Sequence, residues 1–183
     1  MQNESDIIAR IQKGDSEDFG ILYDRYIKKI YDFVYFKTGH KETAEDLVSI
    51  VFTKALEKIN TFDNIGSFSS WIYRIARNTV IDYYRTKKSD ANIEDAWDLA
   101  DDSYVEIDLD VKQKLAEVKK YLSKLKSEQR DIIIMRVWQE MSYAEIAEIV
   151  GKSEASCKMV FSRAMKQLRA EMPLGILLLF LLK

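Results

Sequence analysis

Three arginines and an asparagine are spaced along one side of the stretch WIYRIARNTVIDYYR, residues 71–85. Arg74, Arg77, Asn78 and Arg85 share that side with Ile81. On the other, Ile72, Ile75, Ala76, Thr79, Val80 and Tyr83 recur at the three-and-four spacing of a buried helical face. Guanidinium groups at this density can hold a polyanion, and they can equally form a solvated face. The stretch alone leaves both open.

A second set lies in SYAEIAEIVGKSEASCKMVFSRAMKQL, residues 142–168. Ser142 with Glu145 forms a capping box, Gly151 stands where the first helix must stop, and Ser153 can cap a second. Two short helices joined by a glycine turn predict a helix-turn-helix, in which Ala147 permits a close crossing. Cys157, Phe161, Ala164 and Leu168 give the second helix its core face. Its other face carries Ser156, Met159, Val160, Arg163 and Gln167, with Lys152 and Lys158 at the margins. Ser, Arg and Gln suit base edges or phosphates, and Met and Val suit thymine methyls. The apolar pair also suits packing on another protein.

Catalytic chemistry has no foothold in the sequence. There is no glycine-rich phosphate loop, no catalytic carboxylate pair and no Ser/His/Asp set. The single Cys157 excludes an intrachain disulfide, and the single His40 leaves no Cys/His cluster for zinc. Set beside Gly39 and Lys41, His40 reads as a loop residue. A binding protein without cofactor, catalytic residues or metal is expected.

The elements that must carry these residues are all helical, as one proline and six glycines in 183 residues suggest. Ile7, Ile8 and Ile11 mark a first helix stopped by Gly14. Asp15 or Ser16 can cap a second, whose stripe of Phe19, Leu22, Tyr23, Tyr26, Ile27, Ile30, Phe33 and Val34 ends near Gly39. Thr43, with Asp46 three residues on, is expected to cap a third, burying Leu47, Val48, Val51, Phe52, Ala55 and Ile59. The polar run DNIGSFSS (63–70) leads into the arginine-bearing helix. Residues 89–112 lack helical periodicity and are dense in Asp, the composition of an extended or disordered linker. Beyond it, Leu115, Val118, Leu122 and Leu125 start one helix, and Ile132, Ile133, Met135, Arg136 and Trp138 belong to the next.

Charge follows the same partition. Residues 1–88 hold 14 basic and 13 acidic side chains, 89–117 hold 2 and 10, and 118–183 hold 12 and 7. The net charge of −2 therefore conceals a strongly acidic segment between a near-neutral and a basic one. The N-terminus has no apolar segment of the signal-peptide kind, so a cytoplasmic location is expected.

TAEDLVSIVFTKALEKI, then FSSWIYRIARNTVIDYYRTKK, then the helix-turn-helix closely resemble the small, two-domain bacterial RNA polymerase sigma factors of the extracytoplasmic-function type. SDIIARIQKGDSEDFGILYDRY also fits the start of that family's first domain. The resemblance implies an all-α fold of two small domains, at 5–88 and 115–172, joined by an acidic linker at 89–114. It implies that the first domain docks on the clamp coiled coil of the polymerase through Asp46, Ser49, Ile50, Thr53 and Glu57. The family commonly has Gln and an acidic residue where this chain has Ser49 and Ile50. It further implies that the first domain reads and melts the minus-ten promoter element. Phe68, Trp71 and Tyr73 would then offer stacking surfaces, Asn78 and the 63–70 loop a base pocket, and Arg74, Arg77, Arg85, Lys87 and Lys88 phosphate contacts.

By the same resemblance, the second domain reads the minus-thirty-five element through Lys152, Ser153, Ser156, Lys158, Met159, Val160, Arg163 and Gln167. Helices around Leu125 to Trp138 would face the polymerase flap. Lys126 stands where the family often has proline, and Val160 where it often has arginine. The linker, with Asp95, Asp98, Asp101, Asp102, Asp108 and Asp110, would thread into the basic active-site cleft of the polymerase. An anti-sigma factor is the expected regulator. The tail PLGILLLFLLK (173–183) has no expected counterpart in the family, and is too short to cross a membrane alone. Protein contact is the use expected of it, ahead of a membrane surface.

Overall fold

The computed structural model describes residues 3–63, 66–87, 117, 118 and 120–182. The acidic linker residues, Leu115 and Lys88 lie outside the described residues, and so do their expected roles. Every regular element among the described residues is helical. The chain divides into two compact units, Met1–Ser89 and Asp90–Lys183.

Unit 1 is built from α1 (Glu4–Gln12), α2 (Phe19–Thr38), α3 (Lys41–Lys58) and α4 (Phe68–Lys87). Helices α2, α3 and α4 pack mutually, and α1 lies against α2. Ile7, Ile8 and Ile11 are buried as the spacing requires, and Gly14 takes the left-handed φ of +110° that lets the chain turn after α1. Gly39 ends α2 in the same way, its N–H bonding the Tyr35 carbonyl at 2.7 Å. All six residues expected on the inner face of α3 are buried. Along the α2 stripe, Tyr23 departs from expectation: the residue is 42% exposed, its ring 4.7 Å from that of Phe52.

Two start signals differ from expectation. Helix α3 begins two residues before Thr43, and His40 is its cap, with Nδ1 accepting from the Thr43 N–H at 3.4 Å. Neither Asp15 nor Ser16 provides a side-chain cap; a short 3-10 turn, Ser16–Asp18, leads directly into α2.

Unit 2 holds a helical stretch at 120–123, then α5 (Ser127–Val137), α6 (Tyr143–Val150), α7 (Glu154–Glu171) and α8 (Leu174–Leu182). Ile132, Ile133, Ile134 and Met135 of α5 are fully buried, and α7 packs on both α5 and α6. The Gln129 side chain accepts from the Lys126 N–H at 3.0 Å, closing the start of α5 without the family's proline.

Candidate nucleic-acid interface

Helix α4 begins at Phe68, three residues earlier than the arginine-bearing stretch, because Ser67 Oγ accepts from the Ser70 N–H at 3.0 Å. That start turns two expected stacking rings inward. Phe68 and Tyr73 are 2% and 1% exposed, so neither offers a face to a base. Phe68 meets Tyr26, Phe62 and Trp71 at centroid distances of 5.3, 5.8 and 5.4 Å, the edge-on and tilted packing that aromatic quadrupoles favour. Tyr73 packs edge-on against Phe33 and donates to the Lys29 carbonyl. Trp71 alone of the three is half-exposed, at the rim of the cluster.

The opposite face of α4 is open. Arg74 and Asn78, one turn apart, are exposed, and Arg77 is half-exposed beside them. Arg85 is exposed and lies 3.1 Å from Asp82, a surface pair that water weakens and that leaves the guanidinium available. Lys87 lies across the Tyr83 ring and donates to its hydroxyl at 2.8 Å. Burial would raise that hydroxyl's pKa, but donation from Lys87 and Thr43 outweighs it and brings the group below the usual tyrosine value. Tyr83 is thus half-buried, a ring in the packing with its hydroxyl at the rim.

On α3, Asp46, Ser49, Ile50, Thr53 and Glu57 are all exposed, with Thr53 Oγ1 turned back to the Ser49 carbonyl at 2.9 Å. Sequence patterning missed what lies beside them. A groove of about 660 Å³ runs between α2 and α3, lined by Phe19, Tyr23, Tyr31, Val48, Phe52 and Leu56 among others. Leu56, 44% exposed, was the signal that could have shown it, as an apolar residue off the buried stripe.

In unit 2 the helix-turn-helix forms as its residues require. Ser142 Oγ accepts from the Glu145 N–H at 3.2 Å while Glu145 accepts from the Ser142 N–H at 2.8 Å. Gly151 is left-handed at φ +70°, and Ser153 accepts from the Ser156 N–H at 3.2 Å. Cys157, Ala164 and Leu168 are buried with Met165, whereas Phe161 is only half-buried. Burial raises the Cys157 thiol, which suits an inert core group.

The outward set is partly engaged. Met159 and Arg163 are exposed; Ser156, Val160 and Gln167 are half-buried. Ser153 serves as cap, Lys152 pairs with Glu128 at 2.7 Å, Lys158 with Glu154 at 3.2 Å, and Gln167 donates to Glu171 at 3.1 Å.

Two further residues join this face. The Arg136 guanidinium lies 5.0 Å over the Tyr143 ring and donates to the Met141 carbonyl at 2.7 Å, and Lys158 reaches within 5.7 Å of the same ring. Two cations thus lie against one half-exposed phenol ring. The only hint in the sequence is a charge, Arg136, at the end of an otherwise apolar run.

The described structure thus holds two compact helical units, the first with an arginine-bearing helix face and the second with a helix-turn-helix. The comparisons give its family. The model for sigma-70 region 2 matches residues 22–89, and that for sigma-70 region 4 matches residues 115–168. RNA polymerase sigma factor YlaC of Bacillus subtilis is 34% identical over 82% of this chain and 90% of its own length. The ECF sigma factor SigW of the same organism is 30% identical over 90% of this chain and 94% of its own. BldN of Streptomyces coelicolor is 32% identical over 92% of this chain, which spans 65% of BldN's length. In structure, CnrH bound to the cytosolic domain of CnrY matches with a TM-score of 0.70 at 23% identity over 90% of this chain and 93% of its own, a likeness of fold. RpoE bound to the anti-sigma factor NepR, from Bartonella quintana, matches with a TM-score of 0.62 at 25% identity, covering 84% of this chain and 96% of RpoE. The chain belongs to the RNA polymerase sigma factors of the extracytoplasmic-function type, proteins of promoter recognition and transcription initiation.

Proposed function

We propose that this chain binds RNA polymerase core through the outer face of α3, opens the minus-ten element on α4, and holds the minus-thirty-five element on α7. The observation that carries the reading is the division of α4. Its aromatic and aliphatic residues close the core of unit 1, while Arg74, Arg77, Asn78 and Arg85 remain at the surface. Asn78 then supplies the amide that donates to and accepts from an unstacked base, Trp71 the remaining aromatic edge, and the arginines with Lys87 the phosphate contacts. In unit 2, Met159, Arg163 and the open edges of Ser156, Val160 and Gln167 enter the major groove, and Lys152 and Lys158 exchange their surface carboxylates for phosphates. Arg136 and Tyr143 take a phosphate beside them.

On α3, Asp46 and Glu57 complement basic partner helices, and Ile50 adds an apolar contact. The neighbouring apolar groove suits a helix of a protein partner, and an anti-sigma factor is the partner class with which the RpoE neighbour was solved.

Asn78→Ala tests the central assignment. The variant is expected to co-purify with core polymerase as the parent does, but to give weaker permanganate reactivity at promoter thymines. Equal loss in both assays, or in neither, would remove Asn78 from the pocket.

A further inference from the structure

The apolar stretch after α7 is only half absorbed by unit 2. Leu177 and Phe180 of α8 are buried, and the Trp138 indole N–H donates to the Phe180 carbonyl at 3.3 Å with the two rings 5.6 Å apart. Those contacts settle which side of α8 faces protein. On the other side Leu174, Leu178 and Leu181 follow one another at helical spacing, 72%, 47% and 42% exposed. No polar side chain interrupts the nine residues, so the water-facing side is as apolar as the buried one.

Area and charge together choose the occupant. The three leucines expose about one and a half residues' worth of apolar surface, far below the roughly 800 Å² per partner of a standard protein interface. Two copies meeting leucine to leucine would fall short of a stable dimer. A lipid surface sets no such threshold, because each side chain that enters the acyl boundary contributes separately. Of the 12 basic side chains in residues 118–183, those not assigned to DNA above remain to complement anionic headgroups. Lys166 and Arg169, exposed near the end of α7, stand just before the leucines in the chain. A nine-residue helix about 14 Å long can lie in that boundary, and no helix among the described residues is long and apolar enough to cross it.

We propose that α8 is a membrane-surface anchor, with Leu174, Leu178 and Leu181 entering an anionic lipid surface while Leu177 stays buried and Phe180 stays against Trp138. The anchor is independent of the promoter reading, and failure of either leaves the other standing. Co-sedimentation of the full chain with vesicles of equal parts phosphatidylglycerol and phosphatidylcholine tests it. The parent should bind these vesicles, bind pure phosphatidylcholine less, and lose affinity as salt rises. Leu178→Glu with Leu181→Glu should lower binding about tenfold or more, since two side chains no longer enter the acyl layer. Both positions face water, so the thermal melt should stay at the parent's temperature; Leu174→Glu supplies an independent variant at the most exposed position. Undiminished binding by these variants would overturn the proposal. So would a parent that ignores vesicles, or one whose leucines instead sustain a dimer in sedimentation equilibrium.

Discussion

Replacing Phe68 by alanine separates a core role from a base-stacking role. The ring is 2% exposed and touches three other rings, so its removal leaves a cavity ringed by Tyr26, Phe62 and Trp71. A buried Phe→Ala change costs about 3–5 kcal/mol, and the lost aromatic pairs place this one toward the upper end. Since a small domain is stable by about 5–15 kcal/mol, at least about a third of the margin of unit 1 disappears. Phe68→Leu keeps much of the volume and should cost about 1–2 kcal/mol. Urea unfolding of the full chain, followed by far-ultraviolet ellipticity, should show the alanine variant unfolding at much lower denaturant and the leucine variant close to the parent. Promoter melting per folded molecule should be unchanged in the leucine variant. An alanine variant with the parent's urea midpoint but no permanganate reactivity would refute the reasoning and return Phe68 to the DNA face.

Other perturbations reach other parts of the molecule. Asp46→Arg reverses an exposed charge on α3 and should weaken core-polymerase binding about fivefold, more at low salt; unchanged co-purification would reject that face. Gly151→Ala meets no atom within 4 Å but forces alanine to φ +70°, which should cost about 1 kcal/mol and lower the melting temperature of unit 2 by about 4–8 °C. An unshifted melt would deny that the left-handed cap matters. The Tyr26 hydroxyl is raised well above its usual pKa by burial and by donation to Glu4 at 2.8 Å. Its neutral form is therefore the stabilising one: the contribution is complete below about pH 10, the ordinary tyrosine value. It is lost as pH climbs toward the folded-state value, because the unfolded chain gives up its proton first. Tyr26→Phe should flatten that alkaline decline, and an unchanged slope would place its origin elsewhere.

Periodicity made the buried faces legible, because burial on a helix is a matter of spacing. Leu47, Val48, Val51, Phe52 and Ala55 of α3, with Ile59 just past its end, illustrate it, as do the capping box and glycine turn before α7. Side-chain identity served less well where two roles share one residue type. Phe68 and Tyr73 carry rings suited to stacking, but the Ser67 cap sets the start of α4 so that both point inward. His40, read from its neighbours as a loop residue, caps α3 instead, its Nδ1 accepting as a carboxylate would. The Arg136–Tyr143–Lys158 cluster draws on three helices, and no local spacing announces it. The tail's apolar run was plain to see, but its two sides were not: Trp138, 42 positions earlier than Phe180, decides which leucines are covered.

The amide of Gln12 donates to two carbonyls at once, Ile59 at 2.8 Å and Phe62 at 2.7 Å. One side chain near the beginning of the polypeptide therefore moors the turn that precedes α4. Anyone trimming unit 1 to begin at residue 22, where the family match starts, would cut that mooring together with three buried isoleucines.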